Sequence, residues 1–450
     1  MGKYGKDTEF IPINRGFRFA QQTISPKLER IAELAKADSE LQFISIAHLL
    51  DVEMLRVAFH MLRKDAASGV SGKNARDYKE DLENNLKELH ERLRNQRYKA
   101  FPLKRVWIDK DKGKKRPLGI PEIEDKIVQK AVTILLAPIY ENDFYEFSHG
   151  FRTGHSQHLA IKEVRQEMYA NNINWIIDAD IEGFFNNIDH KILREFIQRR
   201  VKDGGIIRLI GKWLKAGVVE KKEITYPKKG TPQGGVISPL LANIFLHYVL
   251  DEWFEELIKP RMKGRCFISR YADDFIIGFE LEEDAKRVMK VLPKRFNKYG
   301  LTLHPEKTKL VNFKKPPYDK ETTKGAGTFD YLGFTHYWGK SRRGYWVIKR
   351  KTSGKKLRLK ITEMWDWCKH NRHINVKEQQ QILNTKLRGH YQYYGISGNY
   401  KFLEVYYEAT EKAWKRWLGQ RSRTGYINYE NFRELVERYP LLKPRIVHSY

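Results

Sequence analysis

Tyr271-Ala272-Asp273-Asp274 sets two adjacent carboxylates between the apolar runs Phe267-Ile268-Ser269-Arg270 and Phe275-Ile276-Ile277-Gly278-Phe279. Short β-rich runs that meet at an acidic pair predict a hairpin with the aspartates at its tip. Nucleotidyl transfer needs such a place, because two divalent cations about 3.5–4 Å apart must clamp the attacking and leaving oxygens. Mg²⁺ is hard, prefers oxygen and takes one or two protein carboxylates, which leaves positions for substrate phosphates. A solvated Asp-Asp turn reads the same in isolation, so the rest of the chain decides.

A second acidic element runs Trp175-Ile176-Ile177-Asp178-Ala179-Asp180-Ile181-Glu182-Gly183-Phe184-Phe185. Its apolar lead-in predicts a buried strand, with Asp178 and Asp180 on one face by the period of two. A charge at the end of a buried strand is costly unless paired or metal-bound. Asp180 also suits the N-cap of a short helix running to Ile188, a role compatible with metal ligation. The third element is Gly230-Thr231-Pro232-Gln233-Gly234-Gly235-Val236-Ile237-Ser238-Pro239. Ser238-Pro239 predicts a helix start, and Leu240, Leu241, Ile244, Phe245 and Tyr248 supply the apolar face of that helix. The glycines ahead of it let backbone approach a substrate, and Gln233 offers an amide to a nucleotide or primer. An ordinary loop-to-helix junction has the same local pattern.

The elements that must position these residues follow from periodicity and punctuation. Helices are predicted over 27–37, 48–64 and 76–97, the latter two separated by the Gly-rich turn 66–72. Residues 103–121 predict a hairpin, Leu103 to Ile108 and Arg116 to Pro121, joined by the loop 109–115. A helix follows at 122–139, strands and helices mix from 140 to 312, and 314–327 reads as a linker or loop. Residues 354–420 read as helices and 421–450 as a small terminal unit.

Composition narrows the partner. The chain has 450 residues, 41% hydrophobic, with a formal net charge of +28 and a pI near 9.7. Such a balance predicts a polyanionic partner. No apolar run reaches the roughly 18 residues of a spanning helix, and no signal-peptide pattern opens the chain. Cys266 and Cys368 are the only cysteines, which excludes a disulfide scaffold and a Cys-built zinc module. The expected address is a reducing cytoplasm, with no membrane contact. Residues 340–450 hold 25 Lys/Arg against 9 Asp/Glu, and 340–360 hold ten basic residues and no acidic one. Aromatics interleave there (Trp338, Tyr345, Trp346, Tyr391, Tyr393, Tyr394, Trp414 and Trp417), which predicts stacking surfaces beside phosphate contacts; a solvated basic face is the plainer alternative.

In this order and spacing the elements resemble a reverse transcriptase, most closely the bacterial group II intron-encoded maturase family, over nearly the whole chain. Lys115-Arg116-Pro117-Leu118-Gly119-Ile120-Pro121 is similar to the family's fingers signature. His149-Gly150-Phe151-Arg152-Thr153-Gly154 resembles its Gly-Phe-Arg-Pro-Gly motif, with Thr153 in place of Pro. Leu301 to Thr308 and Phe329-Asp330-Tyr331-Leu332-Gly333-Phe334 resemble the motifs that close the palm, and Leu387-Arg388-Gly389-His390-Tyr391-Gln392-Tyr393-Tyr394-Gly395 resembles the Leu-Arg-Gly…Tyr-Tyr helix of its thumb. The resemblance implies an α+β right-hand polymerase with an α-helical fingers extension, an α+β palm and an α-helical thumb. Its divisions fall at 1–100 (extension and start of fingers), 101–335 (fingers and palm), 336–420 (thumb, maturase-specific RNA-binding region) and 421–450 (tail). It further implies that Asp180, Asp273, Asp274 and the Ile181 carbonyl hold two Mg²⁺ ions, with Mn²⁺ as the alternative.

Lys110 and Arg116 are expected to clamp the triphosphate, Arg by its bidentate fork. Gln233 is expected beside the nucleotide, and Lys307 as proton donor to pyrophosphate or as a solvated side chain. Phe185, five residues after Asp180, matches a steric gate against a ribose 2′-hydroxyl; a core Phe is the alternative. Asp178 receives no direct role. Lys349, Arg350, Lys351, Lys355, Lys356, Arg358 and Arg388 are expected to bind RNA. The partners implied are an RNA template, a DNA or RNA primer, dNTPs and group II intron RNA; no oligomeric state is implied. With no cysteine beyond Cys368, the HNH-type endonuclease of larger members is expected to be absent. The expected function is RNA-directed DNA synthesis together with splicing and retrohoming of a parent intron. A host-recruited enzyme without an intron and a splicing-only RNA-binding protein are the competing expectations.

Overall fold

Four helices open the described part of the chain, and their apolar stripes turn toward one another: α1 (Arg15–Ala37), α2 (Val52–Met61), α3 (Ala75–Lys79) and α4 (Leu82–Arg94). The computed structural model describes residues 15–109, 115–221, 223–227, 229–317, 326–422 and 425–450. The helix expected over 48–64 is shorter because Asp51 caps it, its carboxylate accepting from the Met54 amide at 2.9 Å. The helix expected over 76–97 is two, α3 starting from a capping box between Asn74 and Asp77. The hairpin expected near 103–121 forms as β1 (Leu103–Asp109) and β2 (Lys115–Ile120), antiparallel from Lys104↔Ile120 to Asp109↔Lys115. α5 (Ile123–Asp143) follows and is buried along most of its length.

The chain then alternates through α6 (Gln157–Ala170), β3 (Trp175–Asp180), α7 (Phe184–Asn187), α8 (His190–Arg200), α9 (Gly204–Leu214), β4 (Val218–Glu220), β5 (Glu223–Thr225) and α10 (Ser238–Leu246). Two π-helical turns (His247–Asp251 and Trp253–Ile258) extend α10. Next come β6 (Cys266–Tyr271), β7 (Asp274–Phe279), α11 (Glu282–Lys298) and β8 (Lys309–Asn312). β6-β7-β3-β8 form one antiparallel sheet, and β2-β1-β4-β5 form a mixed one in which β1 and β4 run parallel. Both faces of the first sheet are covered, as the near-continuous apolar strands require. Trp175, Ile177, Phe275, Ile277 and Phe279 pack with α5, α10 and α11. Ile176, Ile276 and Phe267 pack instead with Ala160, Val164 and Met168 of α6.

After 326 the chain makes β9 (Phe329–Tyr331), β10 (Phe334–Lys340) and β11 (Trp346–Thr352), a small sheet in the order β11-β10-β9. Trp338, Trp346 and Ile348 close over the second face of the central sheet. Thus the span from 336 that the resemblance makes an α-helical thumb opens with strands, and helices begin at 354, the start of the stretch expected to be helical. Its helices are α12 (Gly354–His370), α13 (Val376–Tyr394), α14 (Tyr400–Leu418) and α15 (Tyr429–Arg438), around a separate core that includes Leu383, Leu387, Leu403 and Trp414. The last residues fold back on these helices, with Val447 and His448 amides donating to the Gly395 carbonyl at 2.7 and 2.9 Å. Both cysteines are buried and unpaired. Among the described residues, no helix is long and apolar enough to cross a membrane. The architecture is α+β.

Candidate active site

Alternation along β3 puts Ile176, Asp178 and Asp180 on one face, and alternation along β7 puts Asp274 and Ile276 on the same face. Asp180 and Asp274 are partners across β3 and β7, and Asp178 lies opposite Ile276. Tyr271 pairs with Asp274 across β6 and β7, which leaves Ala272-Asp273 as a two-residue connection. Ala272 has φ +57°, the left-handed conformation that tight hairpins favour at their first central residue. The hairpin with an acidic tip is therefore present, and its tip lies against the end of β3.

Asp180 is the last residue of β3 rather than a helix cap. α7 begins only at Phe184, and the residue ahead of it is Gly183 at φ +55°. The Asp180 carboxylate instead receives Lys307 Nζ at 2.7 Å, and its carbonyl accepts from the His304 amide at 2.8 Å. Ile181 forms an antiparallel bridge with Leu303. The segment 301–308 is thus laid along the exit of β3, which brings Lys307 into the acidic cluster.

Like charges shape the titration here. Burial pushes the Asp274 carboxyl up to about 7, and the charges of Asp178, Asp273 and Asp180 add to it; the Leu332 amide opposes the rise. The residue as a whole nonetheless presents surface to solvent. Asp178 is also held near 7, by burial first and then by Asp330, with Lys309 and Lys355 opposing. A divalent cation reverses this logic, because it favours the ionised form of every carboxylate around it. Among the described residues, no three His, Cys, Asp or Glu side chains stand ready as a metal cage. The oxygen-only set of Asp180, Asp273 and Asp274 fits a hard ion that draws its other ligands from substrate phosphates and water.

The residues expected to meet a nucleotide are joined by backbone contacts. Phe185 is half-buried in α7 against the core, and the Gly230–Thr231 backbone is tied to it: the Thr231 amide donates to the Phe185 carbonyl and the Gly230 amide to the Ile188 carbonyl, both at 2.8 Å. Gly230 has φ +91°, and a Cβ there would fall 2.8 Å from the Phe185 carbonyl oxygen. Two residues on, the Gln233 carbonyl accepts from the Gly119 amide of β2 at 2.7 Å. Gln233 Oε1 is buried with no protein partner. Arg116 lies exposed on β2, three residues before Gly119. Lys110 lies outside the described residues. Ser238 is the first residue of α10 rather than its cap, and its hydroxyl donates to the Pro232 carbonyl at 2.9 Å; Gln129 of α5 holds the loop ahead of the helix, its Oε1 accepting from the Val236 amide at 2.8 Å.

Of the expected RNA contacts, Arg350 must be corrected. It is 3% exposed, donates to the Tyr450 carbonyl at 2.7 Å and lies over the Tyr450 ring. A basic run read without its strand period hides this. β11 alternates, so Trp346, Ile348 and Arg350 face inward while Lys349 and Lys351 face outward, partly exposed. Lys355, Arg358 and Arg388 are exposed and Lys356 is half-buried. Lys355 and Lys356 stand in the first turn of α12, which holds no acidic residue. Cations at a helix N-terminus oppose the helix dipole and favour an approaching anion.

Four residues without an expected role contribute to the site. Asp178 and Asp330 shape the charge of the cluster, Gln129 fixes the 230–238 loop, and Gly150 packs so closely that a Cβ on it would fall 2.3 Å from the Ala272 amide. Asp330 is itself held by Ser353 Oγ at 2.9 Å, a contact between segments that only folding joins.

Known proteins resemble this chain over much of its length. The profile for reverse transcriptase (RNA-dependent DNA polymerase) matches residues 108–336. The chain is 29% identical to the group II intron-encoded protein LtrA of Lactococcus lactis subsp. cremoris, over 84% of this chain and 75% of that protein. It is 34% identical to protein YkfC of Escherichia coli (strain K12), over 52% of this chain and 63% of that protein. It is also 28% identical to the putative COX1/OXI3 intron 1 protein of Saccharomyces cerevisiae, over 79% of this chain and 51% of that protein.

Proposed function

Because this chain belongs to the reverse transcriptase family and is an RNA-directed DNA polymerase, we propose that Asp180, Asp273 and Asp274 are its catalytic carboxylates and that its C-terminal region binds group II intron RNA as a maturase. The observation that carries the first part is the placement of Asp180 and Asp274 abreast on adjacent strands, with Asp273 in the turn between β6 and β7. In the right-hand description, β1–β2 and the N-terminal helices act as fingers, the β6-β7-β3-β8 sheet as palm and the helices from 354 onward as thumb, with 421–450 as a tail.

Mg²⁺ or Mn²⁺, when bound by these aspartates and the Ile181 carbonyl, supplies the charge that acidifies a primer 3′-hydroxyl and neutralises the triphosphate. The protein's own residues do the rest. Arg116 grips phosphate oxygens from β2, and Lys110 is assigned to the same triphosphate. Gln233 presents an amide from a loop fastened to Gly119. Phe185 fills the volume that a ribose 2′-hydroxyl needs and offers it no hydrogen bond. Lys307, close to Asp180, stands where departing pyrophosphate can take a proton from it. Lys349, Lys351, Lys355, Lys356, Arg358 and Arg388 give phosphate contacts along β11, α12 and α13.

Primer extension on an RNA template tests the catalytic part. Asp273→Ala and Asp274→Ala are expected to abolish DNA synthesis while RNA affinity stays within about a few-fold, since distributed cations govern that affinity. Near-normal extension by either variant removes the pair from the active site. Splicing of a group II intron RNA in the presence of the protein tests the maturase part, and no stimulation for the parent intron rejects it.

A further inference from the structure

Behind the acidic turn lies a fully buried guanidinium. Arg270, next to the last residue of β6, is 0% exposed, as is Asp251 at the end of the first π-helical turn. Arg270 Nε donates to Asp251 Oδ1 at 2.7 Å and Nη2 to Asp251 Oδ2. Nη2 also donates to Ser148 Oγ at 2.7 Å. Nη1 donates to Asn243 Oδ1 and to the Ala272 carbonyl, both at 3.0 Å. All five N–H bonds of the fork are thereby used. Asn243, 2% exposed, passes the restraint on, its Nδ2 donating to the Gly150 carbonyl at 2.6 Å. Gly150 leaves no room for a side chain beside the Ala272 amide, since a Cβ on it would fall 2.3 Å from that nitrogen.

The arrangement is more than an ion pair. A buried pair replaced by apolar side chains of similar volume often leaves stability unchanged or improved, so stability alone gives little reason for one here. What apolar side chains cannot supply is a rigid donor fork aimed at the carbonyl of Ala272, the residue whose left-handed backbone carries Asp273 and Asp274. We propose that Arg270, clamped by Asp251 and relayed through Asn243 to Gly150, is a positioning residue for nucleotidyl transfer, fixing the backbone of the acidic turn so that Asp273 and Asp274 meet Asp180. This rests on the reading of those aspartates as catalytic.

The deciding variant is the double substitution Arg270→Met with Asp251→Leu, compared with Arg270→Lys, Asn243→Leu and Asp274→Ala. Thermal melts, binding of an RNA–primer duplex, kcat and KM for a dNTP, and amide exchange at 272–274 are read on each. The double variant is expected to fold and bind the duplex as the parent does, with KM for the dNTP little changed. Its kcat should fall about 10²-fold, the scale on which displacement of a reacting group by an ångström acts, and its 272–274 amides should exchange faster. Arg270→Lys keeps the charge but not the fork and should show the same pattern. Parental kcat and exchange in the folded double variant overturn the proposal. If the double variant does not fold, Asn243→Leu decides: reduced kcat at unchanged duplex affinity supports the relay, and parental kcat overturns it. Asp274→Ala separates the two levels. If it is inactive while the double variant has parental kcat, only the positioning role falls; if it is active, the catalytic reading and the positioning role fall together.

Discussion

Lys307 Nζ lies 2.7 Å from Oδ2 of Asp180, although 127 residues separate them in the chain. The ammonium shields the carboxylate that leads the candidate metal set, at a site where both side chains are about half exposed. Two consequences follow, and they pull in opposite directions. A metal ion must compete with Lys307 for Asp180, and the displaced ammonium is then free to serve departing phosphate. Lys307→Gln is therefore expected to lower the Mg²⁺ concentration for half-maximal extension by about two- to threefold, in keeping with the small worth of an exposed pair. The same change should lower kcat by about tenfold or more, because the proton donor is gone. Titrating Mg²⁺ in a primer-extension assay gives both numbers, and an unchanged pair of values makes Lys307 a bystander.

Sugar selection should depend on Phe185 and on the loop that backs it. Phe185→Val removes volume beneath the incoming sugar, so ribonucleotide use is expected to rise relative to deoxynucleotide use by about ten- to two-hundredfold, the usual worth of one badly fitting group. Gly230→Ala should also shift the ratio, because its Cβ would press on the Phe185 carbonyl. The check is kcat/KM for both nucleotide types beside a thermal melt. A folded Phe185→Val with the parental ratio rules the gate out, and equal loss of both substrates with a lowered melt makes Phe185 a core residue.

Alternation along β11 makes a sharper test of the basic surface than neutralising the whole run. Lys349→Ala, Lys351→Ala and Lys355→Ala together should weaken RNA binding for all sequences alike. They should also flatten the slope of log affinity against log salt by about 0.7 for each single-strand phosphate that the protein no longer neutralises. Arg350→Ala should leave that slope intact and lower the melting temperature, because the side chain is buried beneath Tyr450. Filter binding across a salt series measures the first effect and a thermal melt the second.

Acid should find a weak point at His336. The ring is fully buried, stacked on Phe329 at 4.7 Å, and burial with the Arg350 charge pushes its pKa down to about 3. Below its ordinary value of 6.5 the unfolded chain binds a proton there and the folded chain does not. The stability tied to neutral His336 is thus complete above about 6.5 and lost progressively as pH falls toward about 3. His336→Phe removes that titration. Between about pH 7.5 and pH 5, denaturant unfolding should show the variant losing about 2 kcal/mol less stability than the parent. Equal losses exclude His336 as a source of acid sensitivity.

The sequence by itself determined what is local. Apolar runs around Asp273-Asp274 specify a hairpin, the run before Asp180 specifies a strand with Asp178 and Asp180 on one face, and Ser238-Pro239 marks a helix start. The resemblance of the ordered motifs to a known family pointed to the chemistry. These features repeat every two or four residues, so a short window contains them. Tertiary structure decided what depends on pairing between distant segments. Register placed Asp180 abreast of Asp274, and the 301–308 segment brought Lys307 to Asp180. Folding also left Asp180 at the end of β3 with Gly183 ahead of α7, and tied the Ser238 hydroxyl to the Pro232 carbonyl instead of a helix amide, because a side chain bonds whichever group the packed chain presents. It turned Arg350 inward from a run that looked uniformly exposed, since whether a cation meets solvent depends on strand parity and on what covers the strand. The buried contact of Arg270 with Asp251 was out of reach for the same reason: a lone Arg in an apolar strand and a lone Asp in an apolar helix gain meaning only when the fold brings them together.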